Sequence, residues 1–251
     1  MKINMNWKLT LFVFLAFILT FGLSFLQQYL CIDYKTISMP QLAPAFAYII
    51  TVIIFKDLFI SINIRINKLI IIKTIFAIII PLFMSFIIFI ISKLFKMDTK
   101  IDTSWLPLVG ILFGKFISAT GEEIGWRGFF QPLLDKKYPK IISSVIVGII
   151  WGLWHRNNYH FGLLFMCLFI LTTISFSIII EYLLKNTQYS IIISSLFHTS
   201  INIFAGVFDL VIMENYLIGI WLIMCIVWAI PAIIVVLCER EYFLKYSTEY
   251  K

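Results

Sequence analysis

The sequence predicts an all-α, polytopic membrane helical bundle with about eight transmembrane helices. Of the 251 residues, 61% are hydrophobic and only 13% are charged, and the mean hydropathy is +1.00. A soluble domain carries roughly 25% charged residues, about twice this share. The apolar residues form runs of about 20 residues, the length at which a helix crosses the hydrocarbon core of a bilayer. The lipid bilayer is therefore the expected surrounding of most of the chain.

Eight apolar runs follow one another along the chain, and each is interpreted as one helix. Isoleucine-rich stretches are also typical of buried strands, but these runs have the length of helices. They cover residues 7–30, 42–62, 69–94, 106–134, 141–155, 161–184, 189–208 and 217–238. Charged residues interrupt the fourth run, which leaves open whether it begins as an interfacial or re-entrant piece.

The basic residues lie mostly at the ends of the runs. With the amino terminus inside, fourteen of the 20 Lys and Arg residues fall on the inner side, five fall on the outer side, and Lys115 lies within a run. This asymmetry predicts that both termini are cytoplasmic. The net charge of +7 is therefore a topology signal, and nucleic acid is not expected as a partner. The short loops and the isoleucine- and lysine-rich composition favour a bacterial cell membrane.

Ionisable and strongly polar groups inside membrane spans are costly, so each one is a functional candidate. The residues that qualify as candidates are Glu122, Glu123, Arg127, His155, His198 and Asn202. Glu123 and Arg127 are four residues apart, so they share a helix face and can neutralise each other. Glu122 points about 100° away from that face and has no partner in its own helix. Glu122 is therefore the better functional candidate of the two acids.

Position along the helices indicates that these groups meet. Glu122 and His155 are equally far from the turn at 136–140, each roughly 20 Å along its helix. His198 and Asn202 lie roughly 16 to 22 Å from the turn at 185–188, and their spacing puts them on one helix face. A lone intramembrane His or Asn often only bonds a neighbouring helix. The agreement in depth across three helices favours a shared site.

Three segments resemble the ordered motifs of one known family. Residues 121–128, GEEIGWRG, resemble the EExxxR motif of the CAAX-protease and bacteriocin-processing (Abi) family of intramembrane proteases. Residues 151–155, WGLWH, resemble its FxxxH motif, and residues 198–202, HTSIN, resemble its HxxxN motif. Trp151 stands where the family more often has Phe, an exchange expected to affect packing more than chemistry.

The resemblance implies a glutamate-dependent endopeptidase with a wet cavity between membrane helices. Glu122 is then the general base, and His155 holds and polarises the attacking water. His198 and Asn202 donate hydrogen bonds to the oxyanion of the tetrahedral intermediate. The implied substrate is a membrane-embedded or lipid-associated peptide.

The resemblance also divides the chain. It covers residues 106–206, which are assigned as the catalytic core. Residues 1–105 are assigned as transmembrane helices without a motif, and residues 207–251 as the last transmembrane helix with a cytoplasmic tail. Glu123 and Arg127 are expected to give structural support to the site.

A metal cofactor is left open at this stage. Glu122, His155 and His198 form a possible three-ligand zinc set with an open position for water. The sequence has no HExxH motif, and Asn202 beside His198 fits a pair of hydrogen-bond donors better than a zinc shell. Metal-free hydrolysis is therefore favoured, with zinc as the alternative.

Two other functions are compatible with the composition. One is a non-catalytic membrane scaffold or bacteriocin self-immunity protein that keeps the motifs for structure. The other is a transporter or channel, because intramembrane acids and histidines also mark ion pathways. The second is disfavoured because the sequence lacks paired half-membrane repeats and matching broken helices.

Overall fold

The computed structural model describes residues 5–34, 36–102, 109–210 and 216–245. Within these ranges the chain is all-α, which confirms the predicted fold class. The ten α-helices of the described ranges are α1 (Met5–Tyr29), α2 (Ala43–Ile54), α3 (Lys68–Leu94), α4 (Val109–Gly125), α5 (Gln131–Asp135), α6 (Lys140–Trp154), α7 (Leu163–Leu184), α8 (Ile191–Val207), α9 (Leu217–Cys238) and α10 (Arg240–Leu244). Short 3₁₀ helices lie at Met39–Leu42, Lys56–Leu58 and Arg156–Phe161.

Four of these helices are long and apolar enough to cross a bilayer. They are α1, α3, α7 and α9, with 25, 27, 22 and 22 residues. Shorter apolar helices cover Met39–Ile54, Lys140–Trp154 and Ile191–Val207. The four long helices make the chain a multi-pass membrane protein. The count of eight crossings and the side of the termini stay predictions.

The second apolar run was predicted too long. The prediction placed a helix over 42–62, whereas α2 ends at Ile54. Residues 61–67 alternate polar with isoleucine, a period of two that suits an extended backbone better than a helix. Two hydrogen bonds of Asn63 hold this segment extended. The Asn63 side chain donates to the backbone carbonyl of Thr187 at 2.7 Å. The Asn63 backbone carbonyl accepts from the backbone N–H of Ile191 at 3.1 Å.

The fourth run holds a break in helical geometry. The part of that run in 106–108 lies outside the described residues, and α4 begins at Val109. Between α4 and α5, the segment Trp126–Phe130 is π-helical, and the backbone N–H of Gln131 bonds the carbonyl of Trp126. Pro132 follows directly and has no N–H to give to the turn before it. A π-helical turn is often found at functional sites, and this one follows the two glutamates.

A polar network closes the end of the bundle at the α5–α6 turn. Lys140 donates to Asp135 at 3.0 Å and lies 2.8 Å from the Glu181 carboxylate. Tyr189 donates to Asp135, and Tyr242 of α10 donates to Glu181 at 2.6 Å. Burial, followed by the negative charges of Glu181 and Asp135, raises the pKa of Tyr189. Its hydroxyl therefore stays a donor, and the network holds α5, α6, α7 and α10 together.

Close backbone approach fixes how α6 packs on α7. A Cβ added at Gly148 of α6 would lie 2.5 Å from the Cα atom of Ile174 in α7. No side chain larger than hydrogen fits at this distance without moving one helix. The α6–α7 pair carries His155 and much of the wall around the candidate site, so this approach positions the site.

Gly148→Ala is expected to destabilise the protein, because the added methyl group forces the two helices apart. Overpacking of this kind costs about 1–3 kcal/mol. The matched control is Gly22→Ala in α1, where an added Cβ meets nothing within 4 Å. Thermal unfolding in detergent should show a lower midpoint for Gly148→Ala and an unchanged or higher one for Gly22→Ala. Equal midpoints for both variants would contradict the close approach.

Candidate active site

Glu122 is a buried carboxylate with two hydrogen-bond donors. It is fully buried in α4 and accepts from the side-chain amide of Gln41 at 2.5 Å and from the indole N–H of Trp151 at 2.6 Å. The expectation that Glu122 is unpaired holds only within its own helix. Both donors come from other parts of the fold, the 3₁₀ helix before α2 and helix α6.

Glu123 contacts both Arg127 and His198. Its Oε1 atom accepts from Arg127 Nη1 at 3.1 Å and lies 2.9 Å from His198 Nδ1. Arg127 also donates to the hydroxyl of Ser177 in α7 at 3.0 Å, and its guanidinium lies 4.3 Å from the ring centre of Trp151. The four-residue pairing of Glu123 with Arg127 is present, and it extends to His198.

His155 lies just past the end of α6. The helix ends at Trp154, and His155 Nδ1 bonds the backbone carbonyl of Trp151 at 2.7 Å. Because a carbonyl oxygen only accepts, Nδ1 carries the proton in this bond. In the neutral ring Nε2 then holds a lone pair and can accept a hydrogen bond.

Two cavities meet at His155. A polar cavity of about 160 Å³ is lined by Glu122, Gln41 and His155, among others. An apolar cavity of about 240 Å³ is lined by His155, His198 and Asn202 together with aromatic side chains. The fold thus brings the four predicted catalytic residues to one place, but it divides them between two spaces that share His155.

Trp151 stands between these two spaces. Its indole N–H faces Glu122, while its ring lines the apolar cavity and lies 5.2 Å from the ring centre of His198. The expectation that Trp151 in place of Phe affects packing more than chemistry stays a prediction, but the structure adds a contact beyond packing, because Phe has no N–H to give to Glu122. The indole N–H was a signal in the sequence that could have shown this role. Gln41 gave no signal, since it lies 81 residues before Glu122 and in no motif.

The described side chains of the candidate site do not form a metal-binding cluster. Among the described residues, no three or more His, Cys, Asp or Glu side chains are grouped so that they could hold a metal ion. Both oxygens of Glu122 accept N–H donors, and His198 Nδ1 faces Glu123. Glu122, His155 and His198 are not grouped as zinc ligands in this arrangement, and zinc stays the alternative prediction.

Comparison with known proteins points to one family. Residues 103–204 match the family model for type II CAAX prenyl endopeptidase, Rce1-like. Lysostaphin resistance protein A of Staphylococcus haemolyticus (strain JCSC1435) is 31% identical over 223 residues, which are 81% of this chain and 58% of that protein. The proteins of the same name from Staphylococcus aureus strains RF122 and Newman are each 27% identical over 78% of this chain, and the match covers 49% and 48% of their lengths.

The chain therefore spans about half the length of the curated relatives that it matches. The matched region contains all three motifs in order and carries Glu122, His155 and His198. These findings confirm the resemblance, and the chain belongs to the Rce1-like type II CAAX prenyl endopeptidase family, a family of membrane peptidases.

Proposed function

We propose that this chain is an intramembrane endopeptidase that hydrolyses a peptide bond of a membrane-embedded or lipid-associated peptide. The observation that carries the proposal is the fully buried Glu122 carboxylate, held by two N–H donors at the wall of a polar cavity that it shares with His155. A buried acid in a membrane protein is costly unless it has a function or a structural partner. Two neutral donors orient Glu122 without neutralising its charge.

In the proposed first step, a water molecule in the polar cavity attacks the carbonyl carbon of the substrate. Glu122 removes one proton from this water, and His155 Nε2 accepts a hydrogen bond from the other hydrogen and orients it. A bond forms between the water oxygen and the carbonyl carbon. The carbonyl oxygen becomes an oxyanion.

The proposed oxyanion donors are His198 and Asn202 on one face of α8. His198 Nδ1 faces the Glu123 carboxylate, which only accepts, so a donor role for Nε2 requires a second proton on the ring. The negative charge of Glu123 stabilises that imidazolium. Glu123 is thus assigned a direct effect on His198 in addition to bracing Arg127. The Asn202 amide supplies the second donor, one helical turn further along.

The tetrahedral intermediate collapses when the carbon–nitrogen bond breaks. Glu122 returns the proton taken from water to the leaving amine nitrogen, and the products are a new carboxyl group and a new amino group. Once the proton has been returned, Glu122 and Glu123 are both ionised. Their two negative charges are balanced by Arg127 and the His198 imidazolium. The buried site then carries no net charge, which lowers the cost of placing it in the membrane.

The proposal includes the arrangement of the whole chain. Eight apolar helical segments, with α4, the π-helical turn and α5 counted as one, are assigned eight crossings with cytoplasmic termini. The excess of Lys and Arg on the inner side supports this orientation. Residues 106–206 are assigned as the catalytic core, with Gln41 added from 1–105, and 207–251 as a last helix with its tail. The staphylococcal relatives support a bacterial cell membrane as the location.

A second candidate is a non-catalytic scaffold or self-immunity protein. The name of the relatives refers to lysostaphin resistance, a phenotype that a membrane protein can give by binding a partner. A scaffold needs the shape of the site but not the basicity of Glu122. Replacement of that one carboxylate separates the two candidates.

Glu122→Gln is expected to slow hydrolysis strongly, because the amide cannot take the proton from water. General-base catalysis contributes about 10²–10⁴-fold, and a loss in this range is expected. The measurement is mass spectrometry of a membrane-peptide library incubated with the purified chain in lipid vesicles. Glu241→Gln is the control, because the Glu241 side chain in α10 is 86% exposed. If Glu122→Gln cleaves as fast as the unmodified chain, Glu122 is not the base.

Trp151→Phe is expected to lower turnover about tenfold while the protein stays folded. Phe keeps the aromatic ring but removes one of the two donors that orient Glu122, a hydrogen bond to a charged group worth roughly 1.5 kcal/mol. Trp228→Phe is the matched control, a buried Trp that packs on Phe176 and Phe197. Turnover and unfolding midpoint are measured for both variants. Equal turnover in the two variants would remove Trp151 from the positioning of Glu122.

Cleavage is expected to survive treatment with a strong chelator, since the site residues do not form a metal-binding cluster among the described residues. The assay is the same peptide cleavage after dialysis against the chelator, with and without added Zn²⁺. Activity that is lost on chelation and restored by Zn²⁺ would contradict the metal-free mechanism and assign the histidines to a metal.

A further inference from the structure

The two cavities that meet at His155 differ in chemistry. The polar cavity has hydroxyl and amide walls, including Ser24, Ser38 and Gln41, and Arg156 lies at its exposed side. The apolar cavity is lined mainly by aromatic and aliphatic side chains, with His155, His198 and a few other polar side chains among them. A substrate that reaches His155 from both sides therefore meets two different environments.

The aromatic wall of the apolar cavity is tightly packed. Trp221 of α9 lies 4.9 Å from the ring centre of Phe165 and 5.1 Å from that of Phe169, both in α7. All three side chains are buried. Phe169 also packs edge-on against the ring of His155 at 4.9 Å, so the aromatic wall is continuous with a proposed catalytic side chain.

The size of the apolar cavity favours a single side chain over a long lipid chain. Its volume is about 240 Å³, below the roughly 300–1,000 Å³ typical of pockets for drug-sized ligands. A charged or strongly polar side chain would lose its hydration there with few partners to replace it. An aromatic or branched aliphatic side chain gains most from this wall.

We infer that the apolar cavity is a specificity pocket for one large apolar side chain directly beside the scissile bond, and that the polar cavity takes the polar continuation of the peptide. The inference rests on the proposed peptidase function. The preferred substrate is then a peptide cut where an apolar segment meets a polar one. Trp221 and Met224 of α9, which line the pocket but belong to no motif, are assigned as specificity-determining residues.

The test changes the pocket from α9, away from the proposed catalytic residues. Met224→Phe reduces its volume and Trp221→Ala enlarges it. Leu222→Ala is the matched control, because Leu222 lies on the same helix but is 48% exposed on the outside of the bundle. The probes are synthetic, unlipidated membrane peptides that differ only at the residue beside the cleaved bond: Gly, Ala, Leu, Phe or Lys. The readout is kcat/KM for each peptide.

The unmodified chain is expected to cleave the Leu and Phe peptides about 10- to 200-fold faster than the Gly and Lys peptides, the range that apolar pockets achieve. Met224→Phe should shift this preference toward Ala, Trp221→Ala should weaken the preference for Leu, and Leu222→Ala should keep it. A general loss of folded protein lowers kcat/KM for all peptides by the same factor. It would therefore not change the ratios between peptides.

The outcomes separate the pocket from the peptidase. Cleavage that depends on Glu122 but keeps the same side-chain preference in both pocket variants overturns the specificity pocket and leaves the peptidase standing. The same peptides with an attached lipid chain are assayed in parallel. Cleavage of the lipidated set alone also overturns the specificity pocket, because the occupant is then the lipid. No cleavage of any peptide by the unmodified chain overturns both the pocket and the proposed function.

Discussion

The carboxylate of Glu123 is the constraint on which the site depends. A charge buried in a membrane protein costs several kcal/mol unless it is paired and hydrogen-bonded. One oxygen of Glu123 contacts both Arg127 and His198, which ties α4 and the π-helical turn to α8. Arg127 continues the contact to Ser177 in α7 and to the ring of Trp151 in α6. Glu123 and Arg127 therefore connect five segments, α4, the π-helical turn, α6, α7 and α8, and His198 takes its orientation from Glu123.

A second hydrogen bond to α7 lies one helical turn away from the first. Arg127 and Gln131 are four residues apart, as are Ser177 and Glu181 of α7. Arg127 donates to Ser177 at 3.0 Å, and Gln131 donates to Glu181 at 2.7 Å. Membrane helices gain little from burying apolar surface against each other, so such polar contacts carry much of their specificity. Both contacts are made to α7, the most buried of the four long helices.

The sequence predicted what depends on local spacing and missed what depends on distant contacts. Helix positions followed from apolar runs, and the pairing of Glu123 with Arg127 followed from the helical repeat. The extended backbone at 61–67 was missed because Asn63 is held by the loop before α8, more than 120 residues further along the chain. Gln41 was missed for the same reason. The role of Trp151 was visible in principle, since an indole in place of a phenyl ring always adds a donor.

The end of α6 links this local geometry to the two cavities. In a continuing helix the carbonyl of Trp151 would accept the backbone N–H of His155. The backbone N–H of His155 instead donates to the carbonyl of Gly152 at 3.2 Å. The side chain of His155 bonds the Trp151 carbonyl through Nδ1 at 2.7 Å. The imidazole is thus held by the last turn of the helix whose Trp151 also orients Glu122. The end of α6 therefore orients both Glu122 and His155, and the polar and apolar cavities meet where that helix ends.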